Sequence, residues 1–561
     1  MKLTGAELII RLLERNGISV VAGIPGGANL PLYDALGAST IRHVLARHEQ
    51  GAGFVAQGMA RVSGRPAVCF GTSGPGATNL LTAIADAKLD SIPIVAITGQ
   101  VPRAMIGTDA FQEIDTYGLS VPITKHNFLV RSARDLPRVI TDAFRIAMSG
   151  RPGPVVVDVP KDVQTEVVEI AAMPEAARPD PPPSFSADEI ARAAALINQA
   201  KCPMLLAGAG VIAAGAAPDL VRLAEKASIP VAATLLGLGA MRHDHPLFFG
   251  MVGMHAARFT NLLLDECDLL IGVGVRFDDR ATGKASEFCP HAAIVHVDID
   301  ASELGKIKDP CVGIAADAGE ALRALEPLVV ENPRAEWLNH ARTLRTRYPL
   351  LLPGADDPIR PYGIVRHAAA MLPADAIVAT DVGQHQMWVA QAYPFNHPRQ
   401  WLTSGGLGTM GFGLPAAIGA ALAAPNRTVA CFSGDGSLLM NLQELATAAE
   451  EEVNVKIILL NNSHLGLVRQ QQQLFYGRRF CASRFVAQPD FAAIARAFGI
   501  AAIDLGETPD PAAALAKAIA RPGPCLMNVP IAAEENVYPM VPPGGANREM
   551  IDGDSSDAGL A

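Results

Sequence analysis

The chain has 561 residues, half of them hydrophobic and 18% charged, and carries a net charge of -10. That length exceeds a single core and points to about three domains. The composition excludes a disordered chain, and the acidic balance, with no basic cluster, excludes nucleic acid as a partner. The eight cysteines (69, 202, 267, 289, 311, 431, 481, 525) are scattered, with no C-x-x-C pair and no metal spacing. They read as small buried residues in a reducing compartment.

Along the chain, Thr4-Gly-Ala-Glu7 is a capping box. Leu8, Ile9, Leu12 and Leu13 then form the apolar stripe of a helix stopping at Gly17, so a folded helix rather than a signal peptide is expected here. Leu45-Ala-Arg-His-Glu49 places a carboxylate where an apolar strand meets a helix; taken alone, it is a helix-start glutamate. Ala67 to Gly76 leads through a helix to the strand Ile92 to Ile97, and Arg151-Pro-Gly-Pro opens another strand ending at Pro160. A proline-rich linker runs from Met173 to Ser186. The middle unit has strands Pro203 to Ala207, Leu269 to Val273 and Ala293 to Val297, which suggest a nucleotide-binding fold, before a second linker from Glu331 to Pro361 that mixes charged helix with loop. Gly405 to Pro425 is uncharged and long enough to cross a bilayer, but its glycines and proline mark a loop leading into a buried helix. The protein is therefore expected to be cytoplasmic, with no membrane partner.

Two distant segments repeat. Ala67-Val-Cys-Phe-Gly-Thr-Ser-Gly-Pro-Gly76 matches Thr428-Val-Ala-Cys-Phe-Ser-Gly-Asp-Gly436, and Arg151 to Pro160 is echoed by Arg521 to Pro530 in the same order. The predicted fold class is α/β, with three doubly wound parallel-sheet domains of which the first and third are copies of one unit. The expected boundaries are 1–170, 187–330 and 361–535, followed by a tail at 536–561.

The last copy carries the clearest chemistry. Gly434, Asp435, Gly436 and Ser437 follow a strand, and the next strand, Val455 to Leu460, delivers Asn461 and Asn462 to the same edge. Ligands bind at the carboxyl ends of such strands. The glycines let backbone approach a phosphate, and Asp435 with the Asn462 amide offers the oxygen ligands that Mg²⁺ prefers. The first copy has Ser73-Gly-Pro-Gly76 instead, without the metal ligand.

The whole pattern resembles the thiamine diphosphate (ThDP) enzymes. Gly23-Ile-Pro-Gly-Gly27, Arg47 to Gly53, Thr72 to Asn79, Gly107 to Glu113, Arg276-Phe-Asp-Asp-Arg280, Gly383 to Met387 and Gly405-Gly-Leu-Gly-Thr-Met-Gly411 resemble, over nearly the full length, the acetolactate synthase catalytic-subunit family. That resemblance implies that the first domain binds the aminopyrimidine and the third the diphosphate. Glu49 would contact pyrimidine N1′ and favour the tautomer that creates the ylide. Gly27, Phe111 and Gln112 would line the reaction centre. Val382, Gly383, Gln384, His385 and Gly408 would lie near the diphosphate, Met410 would bend the cofactor, and Asp435, Asn462 and the His464 carbonyl would bind Mg²⁺. In the middle domain the resemblance implies FAD without a net redox part, held by Arg151, Gly208, Thr234, Met254, His255, Gly274, Arg276, Asp278, Asp298 and Asp317. Gly208-Ala-Gly210 alone is a weak motif.

The implied reaction decarboxylates pyruvate and condenses the hydroxyethyl carbanion with a second pyruvate, giving 2-acetolactate, or with 2-oxobutanoate, giving 2-aceto-2-hydroxybutanoate, in branched-chain amino acid synthesis. Arg280 would anchor the acceptor carboxylate, as a guanidinium fork suits a carboxylate. The family also implies a homodimer or homotetramer with sites between chains, and a small regulatory subunit. Relatives that prefer 2-oxobutanoate carry a tryptophan where this chain has Gln471, so weak or no preference over pyruvate is expected. A flavin-dependent pyruvate oxidase, another ThDP carboligase and a catalytically silent subunit are the alternatives.

Overall fold

The computed structural model describes residues 1–553. Three six-stranded parallel sheets form its three layers of core. In the first, the strands lie in the order Arg42–Leu45, Val20–Gly23, Ala67–Gly71, Ile94–Gln100, Val155–Pro160, His126–Leu129. In the third the order is Trp401–Leu402, Ile377–Thr380, Val429–Gly434, Val455–Asn461, Cys525–Pro530, Ala501–Asp504. Both follow chain order 2-1-3-4-6-5, so the sequence repeat is a repeat of topology. The middle sheet differs: Phe248–Met251, Val231–Ala233, Pro203–Ala207, Leu269–Val273, Ala293–Asp298, Val312–Ala315. This is the 3-2-1-4-5-6 order of dinucleotide-binding sheets.

The strands are near-continuous Val, Ile, Leu and Ala because helices cover both faces of each sheet. The first helix, Gly5–Arg15, has the expected capping box at Thr4 and Glu7. No helix of the described residues is long and apolar enough to cross a membrane. Gly405 to Pro425 instead supplies a loop and the buried helix Gly413–Ala423.

That helix packs on helix Glu49–Ser63 of the first domain, and the contact is backbone against backbone. A methyl group at Gly58 would lie 2.1 Å from the Ala416 carbonyl oxygen, and one at Gly419 would lie 2.0 Å from that of Val55. Glycine is required at both positions for the two helices to approach this closely. Phe54 and Phe412 meet edge to face at 5.3 Å beside the contact.

Three features depart from the sequence expectation. Cys311 and Cys481 are exposed rather than buried. Helix Ala335–Arg347, inside the expected second linker, packs on the middle domain, its Trp337 indole donating to the Pro203 carbonyl at 3.0 Å. Residues 541–553 also pack on that domain: Val541 N–H donates to the Met254 carbonyl at 2.9 Å, and the Asn547 amide to the Ala281 carbonyl at 2.9 Å.

Candidate active site

In the third domain, strand Val429–Gly434 ends where Asp435–Leu438 begins a single helical turn. The His385 ring stands over this turn; a methyl group at Gly434 would lie 2.9 Å from its Nδ1 and one at Gly383 2.7 Å from Cε1. The imidazole is buried, its Nε2 has no hydrogen-bond partner among the described residues, and burial drives its pKa down to about 3. The result is a neutral, desolvated ring beside a glycine cradle, with one nitrogen left for a ligand.

Asp435 is buried, and burial pushes its carboxyl above the usual range. One oxygen accepts the Gly436 N–H at 3.0 Å and the other accepts the Gln488 amide at 3.2 Å. Strand Val455–Asn461 brings Asn462 to the same edge. Its carboxamide oxygen accepts the His464 N–H at 3.0 Å, and its nitrogen donates to Gln384 Oε1 at 3.2 Å. Gln384 is held in turn by Gln470 at 2.9 Å. Ser437 Oγ donates to the Val382 carbonyl at 2.8 Å and ties this turn to the adjacent loop. A nearby cation would favour the ionised Asp435 that burial disfavours.

The loop bearing Gly408 and Met410 approaches from the edge strand. Gly408 has φ of 69° and an open surround, and Met410 is half-buried. Asp381 fixes the loop from below, its carboxylate accepting the N–H groups of Val382 at 2.9 Å, Gly411 at 2.8 Å and Gly413 at 3.1 Å. Burial still pushes that carboxyl up to about 6. Asp381 was missed from the sequence. Its signal was the one that exposed Asp435, an acid at the carboxyl end of an apolar strand.

In the first domain, Glu49 starts its helix and is 8% exposed. One carboxylate oxygen, Oε2, accepts the Asn79 amide at 2.9 Å, while a methyl group at Gly76 would lie 3.3 Å from Oε1. Gln112 covers the same loop: it has φ of 59°, and a methyl group at Gly74 would lie 2.9 Å from its Cα. A non-glycine residue held at positive φ costs about 1–3 kcal/mol and marks a locally over-determined site. Gly27 is exposed with nothing within 4 Å of an added methyl, and Phe111 is 88% exposed. No hydrogen bond or ion pair among the described residues joins Gly27, Glu49, Phe111 or Gln112 to Val382, Gly383, His385, Met410, Asp435 or Asn462.

In the middle domain, Gly208 and Gly274 meet at the carboxyl edge of the sheet, where a methyl at Gly208 would lie 2.0 Å from the Gly274 carbonyl oxygen. Thr234 follows the neighbouring strand, its N–H donating to the Ala207 carbonyl at 2.9 Å. Asp298 ends a strand, and burial pushes its carboxyl up to about 6. Asp278 and Asp317 cap short helices with one carboxylate oxygen each. His255 is buried, its Nδ1 3.1 Å from the Pro539 carbonyl. Arg151 reaches across from the first domain to Glu303 at 2.7 Å. Arg276 is half-buried and has no hydrogen-bond or ion-pair partner among the described residues. Arg280 is exposed and lies over Met254, its guanidinium 3.8 Å from the sulfur. Gln471 is exposed on helix Gly466–Phe475, whereas its neighbour Gln470 is buried.

Comparison with known proteins places this geometry. Residues 3–119 match the thiamine pyrophosphate enzyme N-terminal TPP-binding domain, 190–325 the central domain, and 381–529 the C-terminal TPP-binding domain. Over 552 residues the chain is 61% identical to the acetolactate synthase isozyme 1 large subunit of Escherichia coli (strain K12), covering 98% of each. It is 46% identical to the isozyme 2 large subunit of the same organism, over 98% of this chain and 100% of that one. It is 45% identical to the probable acetolactate synthase 2, chloroplastic, of Oryza sativa subsp. japonica, over 98% and 86%. The chain belongs to the acetolactate synthase large-subunit family of thiamine pyrophosphate enzymes.

The residues present fit the family's groups. The Gly383–Gly434 cradle, which a Cβ at either position would close, suits a diphosphate. A carboxylate, a carboxamide and a backbone carbonyl form a hard oxygen set suited to Mg²⁺, and no cluster of three His, Cys, Asp or Glu side chains that could hold a metal occurs among the described residues. The dinucleotide strand order, the Gly208–Gly274 approach and the unpartnered Arg276 suit a flavin dinucleotide.

Proposed function

We propose that the protein is a ThDP-dependent acetolactate synthase, joining the two-carbon unit of decarboxylated pyruvate to a second 2-oxo acid. The observation that carries the reading is that one copy places Glu49 at a strand end and carries no metal ligand, while the other places Asp435 and Asn462 at the ends of two neighbouring strands. ThDP, when bound, supplies the carbon nucleophile and electron sink for decarboxylation and carboligation.

Asp435, Asn462 and the His464 carbonyl would hold Mg²⁺, with Val382, Gly383, Gln384, His385, Gly434, Gly436 and Ser437 around the diphosphate. Gly408 gives the loop its turn, and Met410 would be an apolar prop for the cofactor. Glu49 would act at the pyrimidine N1′: Asn79 holds one carboxylate oxygen, which leaves the other to hydrogen-bond that nitrogen. Burial in an apolar helix junction strengthens that hydrogen bond. Gly27, Phe111 and Gln112 line the space for the reacting acid, and Arg280 pairs its guanidinium with the acceptor carboxylate. FAD would rest on Gly208, Thr234, Met254, His255, Gly274, Arg276, Asp278, Asp298, Asp317 and Arg151. Its place is structural, since the net reaction transfers no electrons.

Both half-sites carry exposed apolar neighbours: Phe111 beside Gln112, Leu407 beside Gly408, and Met440 near the Asp435 turn. Such surface favours burial against another chain. A second copy, facing the first two-fold, would complete two sites and cover it. Because the relatives are named large subunits, a small regulatory subunit is the further partner we propose.

The test is product analysis with pyruvate, ThDP, Mg²⁺ and FAD. We expect 2-acetolactate and CO₂ without oxygen uptake; acetate or acetyl phosphate with oxygen uptake would instead assign a flavin-dependent pyruvate oxidase.

A further inference from the structure

The first and third domains of one chain hold each other by their carboxylates, and they do so at equivalent places. Helix Pro75–Asp90 follows the third strand of the first domain, and helix Glu444–Glu450 follows the third strand of the other, after one turn. Glu444 is fully buried and reaches into the first domain. Its Oε1 accepts the backbone N–H groups of Arg47 and His48, each at 3.0 Å, and its Oε2 accepts Thr447 Oγ1 at 2.7 Å. Those two amides immediately precede Glu49. The fit is close: a methyl group at Gly51 would lie 2.3 Å from Glu444 Oε1.

The reverse contact falls just before Met410. Asp90 accepts the Gly406 N–H at 2.7 Å and the Gly405 N–H at 3.1 Å. Asp86 accepts the hydroxyl of Ser404 and, at 3.0 Å, that of Thr409. Ser404 Oγ in turn accepts the Thr409 N–H at 2.8 Å. Arg61, itself buried, pairs with Asp90 at 2.7 Å and Asp86 at 3.6 Å, and lies 5.0 Å above the Phe412 ring. Burying two aspartates and an arginine is costly unless the set is nearly satisfied, so a pure packing role would be met more cheaply by apolar residues. This set instead fixes four groups of one short loop.

We propose that Glu444 and the Asp86–Asp90 pair are positioning residues, a reciprocal latch that sets the Glu49 carboxylate and the Met410 side chain from the opposite domain of the same chain. None of the three carboxylates bonds to a residue assigned to cofactor contact. They act through the backbone entering it. The inference rests on the ThDP reading above.

The test measures deuterium exchange at C2–H of bound ThDP, with Mg²⁺, in the full chain. This readout reports the geometry between Glu49, the bent cofactor and C2 without any substrate. We expect Glu444→Ala and the isosteric Thr409→Val each to slow exchange by about tenfold to 10²-fold, the cost of misplacement near 1 Å. ThDP affinity, set at the diphosphate end, should stay unchanged, and Glu444→Gln, which keeps an acceptor oxygen for the two amides, should restore most of the rate. Thr409→Val keeps the test decisive if Glu444→Ala fails to fold. Parent-like exchange in both variants with ThDP bound overturns the latch alone. Failure of the unsubstituted protein to bind ThDP or exchange C2–H overturns both the latch and the ThDP reading.

Discussion

Glu49 and Met410 are counterparts in two copies of one domain: each stands nine residues before the glycine that packs on the opposite helix, Gly58 on the Ala416 carbonyl and Gly419 on that of Val55. The same structural position thus carries an acid in one copy and an apolar prop in the other. In the proposed function the two equivalent positions serve different tasks, Glu49 at the pyrimidine and Met410 beside the diphosphate half.

If Glu49 shares a proton with the cofactor, Glu49→Gln should lower kcat by about 10²- to 10⁴-fold, the range for a positioned acid–base group. ThDP binding should survive, because the diphosphate contacts lie in the other domain. Steady-state kinetics beside equilibrium titration of ThDP checks both halves of this prediction.

Asp435→Ala should raise the Mg²⁺ concentration needed for half-activation by more than tenfold, since even supporting residues of a metal site cost about 10–100-fold in affinity. Activation curves at saturating ThDP give the result. An unchanged midpoint would remove Asp435 from the metal.

Gly58→Ala forces a methyl group to 2.1 Å from the Ala416 carbonyl. A backbone atom cannot swing away as a side chain can, so the domains must separate slightly. Overpacking of this kind costs about 1–3 kcal/mol, readable as a fall in the denaturation midpoint of the ThDP-loaded protein.

Asp158 is buried beneath Thr98 and Gln100, accepting from them at 2.7 and 3.0 Å, and burial pushes its carboxyl up to about 7. A raised folded pKa means the stability contribution is fully present below the unfolded value of 3.8 and is lost as pH rises through about 7. Its slope is at most about 1.4 kcal/mol per pH unit. Asp158→Asn lacks this proton, so its stability relative to the parent should rise between pH 4 and 7. Chemical denaturation at several pH values measures the difference.

Gln471→Trp should shift product toward 2-aceto-2-hydroxybutanoate when pyruvate and 2-oxobutanoate compete, by up to about 10–200-fold, the value of one methylene in an apolar pocket. The parent should show weak or no preference.

The sequence was most informative where function is local. Asp435 and Asn462 end neighbouring strands, so their convergence follows from strand periodicity, and the repeat itself announced the shared topology. Contacts between domains left no such trace. Glu444 meets Arg47 and His48 across nearly 400 positions, and nothing in its own helix marks it as the partner of Glu49. Helix Ala335–Arg347 was legible as a charged helix within a linker, but not its packing on the middle domain: its buried Trp337, Leu338 and Ala341 form only a thin apolar stripe among charges.

In the proposed function, Glu49 of one chain works with Asp435 of another. Co-expressing differently tagged Glu49→Gln and Asp435→Ala chains and purifying the mixed oligomer tests it directly. Assayed at a Mg²⁺ concentration that activates the parent but not the Asp435→Ala chain, each mixed dimer should hold one doubly damaged site and one intact site, recovering roughly half the parental activity per dimer, although each variant alone is nearly inactive there. A mixed oligomer as inactive as its parents would place both residues in a site within one chain and contradict the account.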